Sequence, residues 1–129
     1  AYGADQGWDV PIGMKTEILP LLRPFGNYAG NTFVGKLLVK GKPFAGADVE
    51  VEHYNTENWV APTDMHVTQV VKTDDNGTFS FTCPLPGWWG FSALTEAEFT
   101  MNGPDGKEKP VELGAVIWLY FDPNPFLGN

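Results

Sequence analysis

The chain has 129 residues, 43% hydrophobic, 14% aromatic and 19% charged, with 15 Gly and 11 Pro, which is enough for one domain with a packed core and excludes a disordered or low-complexity chain. Eight Lys and Arg against sixteen Asp and Glu leave a formal charge of −8, a field that concentrates cations and repels phosphate backbones and anionic headgroups, so nucleic acid is not an expected partner. The single cysteine, Cys83, has no internal disulfide partner and no metal-knuckle spacing, and no apolar run reaches the roughly 20 residues that insert into and span a bilayer.

The opening segment, residues 1–29, carries Pro11, Pro20 and Pro24 and reads as an extended lead-in packed on a sandwich body of residues 30–129, with one edge strand near Glu17 to Leu22. It begins at Ala1 without Met, a charged n-region or an apolar h-region, as expected of a mature secreted form or a piece of a longer protein. From Thr32 to Lys40 the period is two: Phe33, Gly35, Leu37 and Val39 share one face, Lys36 and Lys40 the other. Gly41-Lys42-Pro43 starts a hairpin. In the strand beyond it Ala47, Val49 and Val51 point inward, and Asp48, Glu50 and Glu52 form an acidic row that Lys36 and Lys40 are expected to neutralise in part.

Asn55 to Asp64 is polar and reads as a loop long enough to carry a role. A strand is expected to resume near His66 and to run through Val67, Val70 and Val71 to a turn at Asp74-Asp75-Asn76-Gly77, after which Phe79 and Phe81 return inward. Trp88 to Leu94 and Glu98 to Met101 read as two strands separated by a bend, followed by a turn at Asn102 to Gly106. Val111 to Phe121 is apolar on both faces and so reads as a central or covered strand. The pattern predicts an all-β fold: a seven-stranded antiparallel Greek-key β-sandwich of the transthyretin-like or immunoglobulin-like kind, with little or no helix.

The run Gly41-Lys42-Pro43-Phe44-Ala45-Gly46-Ala47-Asp48-Val49-Glu50-Val51, followed by Thr73-Asp74-Asp75-Asn76-Gly77-Thr78-Phe79-Ser80-Phe81, resembles the carboxypeptidase regulatory-like, or transthyretin-like, sandwich. Three further segments, Leu21 to Asn31, Ala61 to Asp64 with Val67 to Asp74, and Gly87-Trp88-Trp89-Gly90-Phe91, resemble the periplasmic component family found beside nickel and cobalt uptake transporters, long catalogued as a domain of unknown function. Members of that family usually carry a signal peptide and a preceding sandwich-like half, so the chain looks like the C-terminal half of such a protein. The resemblance implies a periplasmic or otherwise extracytoplasmic accessory module, a membrane transporter subunit as partner and a Ni or Co ion as cargo.

Among residues that carry chemistry, His53 and His66 are the only histidines. Neutral imidazoles beside a carboxylate suit Ni²⁺, Co²⁺, Cu²⁺ or Zn²⁺, so His53, His66 and Asp64 are the candidate metal residues, with Glu52 the alternative carboxylate. His53 shares the inward parity of Val49 and Val51, which equally fits an imidazole packed at the end of a sheet. Asp48, Glu50 and Glu52 stand roughly 7 Å apart by strand rise, too far to share one ion. Trp59, Trp88, Trp89 and Trp118, with Tyr54 and Tyr28, offer ring faces for an aromatic platform; of these Trp59, in the loop, and one of Trp88 and Trp89, which opposite parity sends to opposite faces, are the candidate contacts for a sugar ring or a partner. No Gly-x-Ser-x-Gly elbow surrounds Ser80 or Ser92, and no apolar pocket that would separate the pKa values of the Glu96 and Glu98 pair is evident in the sequence. No catalytic residue and no enzyme activity are expected; a carbohydrate- or protein-interaction module with a scaffold role is the alternative to metal capture.

Overall fold

The computed structural model describes residues 7–54, 60–102 and 108–126, and for 95–102 and 108–113 the backbone alone. They form strands β1 (Thr16–Pro20), β2 (Asn27–Tyr28), β3 (Thr32–Val39), β4 (Lys42–Pro43), β5 (Asp48–His53), β6 (Gln69–Lys72), β7 (Thr78–Thr82), β8 (Gly87–Asn102) and β9 (Glu108–Asp122), with one helical turn, α1 (Asp64–Val67). The all-β sandwich expected from the alternating pattern is present. One sheet is centred on β3, with β1 along one edge and β4 and β7 paired along it elsewhere. The other runs β2-β9-β8-β5-β6 and is antiparallel except where β2 lies parallel to β9.

The inward residues of both sheets form a single core. Phe33, Leu37 and Phe79 from the β3 sheet pack with Val49, Val51, Trp89, Phe91, Ala93, Leu119 and Phe121 from the other. The rings of Phe33 and Phe91 meet across the layers at 4.8 Å between centroids. Gly35 opens space for this aromatic layer, because a Cβ there would stand 2.7 Å from Cζ of Phe79.

Four local expectations are corrected. β3 and β5 do not pair with each other. The hairpin begun at Gly41 is closed by the two-residue β4, with Leu38 opposite Pro43 and Val39 opposite Lys42, through a turn whose central residues Lys40 and Gly41 both have positive φ, 53° and 77°. The chain then leaves for the opposite sheet through Gly46, at φ 72°. Lys36 and Lys40 are therefore not on the strand beside the acidic row. That place belongs to β6, whose Lys72 Nζ lies 2.6 Å from Asp48 Oδ1.

The segment at His66 is helical, not extended: Thr68 N–H donates to Asp64 O at 3.1 Å and His66 N–H to Thr63 O at 3.0 Å. Asp64 occupies the first turn, where a carboxylate is favoured by the exposed N–H groups. β8 is one strand rather than two. The sequence bend becomes a register irregularity between Glu96 and Thr100, which keeps the pairing with β9 on both sides. Finally, β9 is central in hydrogen-bonding order, but the apolar character of its second face is not explained by cover: Val116, Trp118 and Tyr120 are exposed.

Candidate functional site

Two regions concentrate residues with chemistry, one at an end of the sandwich and one on its outer face. At the end, His53 closes β5 and its ring packs on Trp89, 4.8 Å between centroids. Its Nε2–H donates to the Pro86 carbonyl at 2.9 Å; a carbonyl only accepts, so a neutral His53 ring carries its lone pair on Nδ1. Trp89 is buried and its Nε1–H donates to Leu85 O at 2.9 Å, which holds the ring that supports His53. His66 comes from α1, is exposed, and shares a 2.8 Å hydrogen bond between its Nδ1 and Thr63 Oγ1.

Both imidazoles line one cleft of about 290 Å³, together with Val51, Val60, Ala61, Val67, Gln69 and the Pro84-Leu85 corner. Asp64, expected beside them, is exposed on α1 and is not among the residues lining the cleft. Among the described residues no group of three or more His, Cys, Asp or Glu side chains stands together as a ready-made metal cage. Trp59 lies outside the described residues, as do the side chains of Glu96 and Glu98.

The outer face of the five-stranded sheet is the second region. Strand alternation sends Trp88 out, 48% exposed, and Trp89 in, 4% exposed. Register then sets Trp88 opposite Tyr120, Gly90 opposite Trp118 and Ser92 opposite Val116. On the other flank of β8, Glu52 is opposite Gly90 and Glu50 opposite Ser92. Trp88 and Tyr120 meet edge to face, 5.3 Å between centroids. With Trp8, Phe25 and Trp118 they line a cleft of about 580 Å³, and Trp118 also forms the wall of a second hollow, about 420 Å³, whose other side carries Glu50 and Glu52.

Sequence reasoning named Trp118 beside Trp88 as a member of an aromatic platform but missed Tyr120, because the apolar second face of β9 fits a central or covered strand as well as an exposed one. The signal was present: Glu50 and Glu52 on β5 mark a solvent face, and β9 shares that face through β8. Cys83, by contrast, offers no chemistry, since burial pushes its thiol from 9.0 up to about 12.

No helix of the described residues is long and apolar enough to cross a membrane. No curated protein and no solved structure matches the chain. A family model does match, over residues 1–97, a span that includes β1 to β7 and the first part of β8, and with them His53, His66, Glu50, Glu52 and Trp88; the chain belongs to the family described as domain of unknown function DUF4198.

Proposed function

We propose that the chain is a non-catalytic, extracytoplasmic accessory module of a nickel or cobalt uptake system, capturing a divalent transition metal as cargo and presenting it to a membrane transporter subunit. The observation that carries this reading is that His53 and His66, from different elements, line one cleft. Imidazole nitrogen is a suitable donor for these ions, and the His53 Nε2–H bond to a backbone carbonyl is the kind of contact that orients a metal-binding ring. Two imidazoles leave most coordination positions to water or to a partner, which suits a cargo that must be handed on rather than a resident cofactor. The charge of −8 raises the local cation concentration.

Isothermal titration with Ni²⁺, Co²⁺, Cu²⁺ and Zn²⁺ at neutral pH and at pH about 5, where imidazoles are protonated, tests the reading. Binding that disappears at the lower pH and in the His53→Ala/His66→Ala variant is expected. Unchanged affinity in that variant sinks the site.

A second reading, a carbohydrate- or protein-interaction module with a scaffold role, is favoured by the exposed Trp88, Trp118 and Tyr120 on one sheet face. Quenching of tryptophan fluorescence by oligosaccharide or partner, with no response to metals, would separate it from the first.

A further inference from the structure

We propose that the outer face of the five-stranded sheet docks an extended, arginine-bearing segment of a partner protein, with a guanidinium stacked on Trp118 and paired with Glu52. The inference rests on the interaction reading of this face and is independent of the His53–His66 cleft.

Three observations define the occupant. The Trp118 indole does not stand away from the sheet: it lies over Gly90, whose missing Cβ leaves room for Cη2, Cζ3 and Cζ2. Because Glu52 is the register partner of Gly90 on the other side, the ring is laid toward a carboxylate, and both border the same hollow. An aromatic face beside a carboxylate is a site for a planar cation that stacks and forms hydrogen bonds at once, which a guanidinium does and an ammonium does less well.

Among the described residues the charge on the face is only partly neutralised. Lys72 serves Asp48, whereas Glu50 lies opposite Val70 and Ser92, and Glu52 takes a hydrogen bond from the neutral Thr68 hydroxyl. Two carboxylates of one strand face, about 7 Å apart, match the spacing of alternate side chains on an extended chain. A second copy of this chain would bring the same carboxylates face to face, and an anionic polymer or lipid would be repelled. A cationic segment is the occupant that complements both the rings and the charge.

The test uses the chain with an acetylated Arg-Thr-Arg-Thr-Arg peptide, its Lys and Gln analogues, and cellohexaose, read by the indole N–H resonances and by titration. The Arg peptide is expected to move the Trp118 resonance and to bind more tightly than the Lys analogue, with no response to the Gln analogue. Affinity should fall roughly tenfold in Glu52→Gln and in Trp118→Ala, the loss of about one charge-assisted contact, and stay within about twofold in Asp75→Asn, which removes the same charge at the exposed β6–β7 turn. An equal loss in Asp75→Asn would reduce the effect to net charge and overturn the proposal. Cellohexaose moving Trp118 in place of the Arg peptide would overturn it while leaving an interaction face, and no response to either would remove both.

Discussion

Gly90 is the seat of Trp118: a Cβ on Gly90 would stand 2.8 Å from Cη2 and 2.9 Å from Cζ3 of the indole. A glycine in the middle of a strand weakens it and needs a reason, and here the reason is the ring of the opposing strand. The pairing lets a large, half-exposed indole lie along the sheet, so that the aromatic and acidic parts of the outer face border one hollow.

Gly90→Ala should therefore separate the face from the fold. The atoms in the way belong to an exposed side chain that can swing aside, so stability should change by about 1 kcal/mol or less. The indole itself should move. A shifted Trp118 N–H resonance with a nearly unchanged thermal midpoint is the expected pair of results; an unmoved resonance would mean that the ring does not rest on Gly90.

Gly77→Ala should behave oppositely. Its φ of 75° disfavours a side chain, and a Cβ would meet backbone, 2.9 Å from Leu37 O and 2.9 Å from Phe44 N, where β3, β4 and β7 converge. The expected cost is about 2–4 kcal/mol, from backbone strain together with overpacking, read as a lower urea midpoint at constant slope. Gly41→Ala is the control, because its φ is 77° but a Cβ there meets nothing within 4 Å; it should cost about 1–2 kcal/mol from the backbone conformation alone.

How much of this was legible follows from what each signal reports. Period-two alternation fixed the faces of Ala47, Val49 and Val51 and the opposite exposure of Trp88 and Trp89, because side-chain parity is a local property. Pairing partners are not local. The chain from Val39 to Asp48 reads as one hairpin, yet Gly46 redirects it to the other sheet, so the neighbour of Asp48 is Lys72 rather than Lys36. The valines around His66 carry strand propensity, but Asp64 and the preceding Pro62-Thr63 start a helical turn first. The gathering of His53 and His66 at one cleft was readable as a candidate because both flank one loop, whereas the placing of Trp118 and Glu52 around one hollow depends on register across three strands, which composition and spacing do not encode.

The redirection at Gly46 is latched by Thr73. Its Oγ1–H donates to Phe44 O at 2.8 Å while the oxygen accepts Ala47 N–H at 2.9 Å, and its backbone N–H donates to Ala47 O at 2.9 Å. Thr73 is buried, so Thr73→Val keeps the shape and removes two hydrogen bonds, leaving the buried Ala47 N–H and the part-buried Phe44 carbonyl unmatched. A loss of about 2–3 kcal/mol is expected, with faster amide exchange at Ala47. Thr73→Ser should restore most of it; equal losses in both variants would assign the effect to packing of the methyl group instead.

Cys83 sets an alkaline limit. In the fold its thiol is pushed up to about 12 by burial, against 9.0 when solvated. Between those values the unfolded chain has released the proton and the folded chain has not, so the unfolded state binds fewer protons and stability falls as pH rises. The contribution is fully present below pH 9.0 and is lost on the way to about 12. Two measurements check this. A thiol reagent at pH about 8 should react with the native chain at a rate limited by its opening, because the thiolate is the nucleophile, and should react at once in urea. Stability measured upward from pH about 9 should decline less steeply in Cys83→Ala than in the parent, since only the parent gains a thiolate on unfolding; parallel declines would show that other groups govern the alkaline limb.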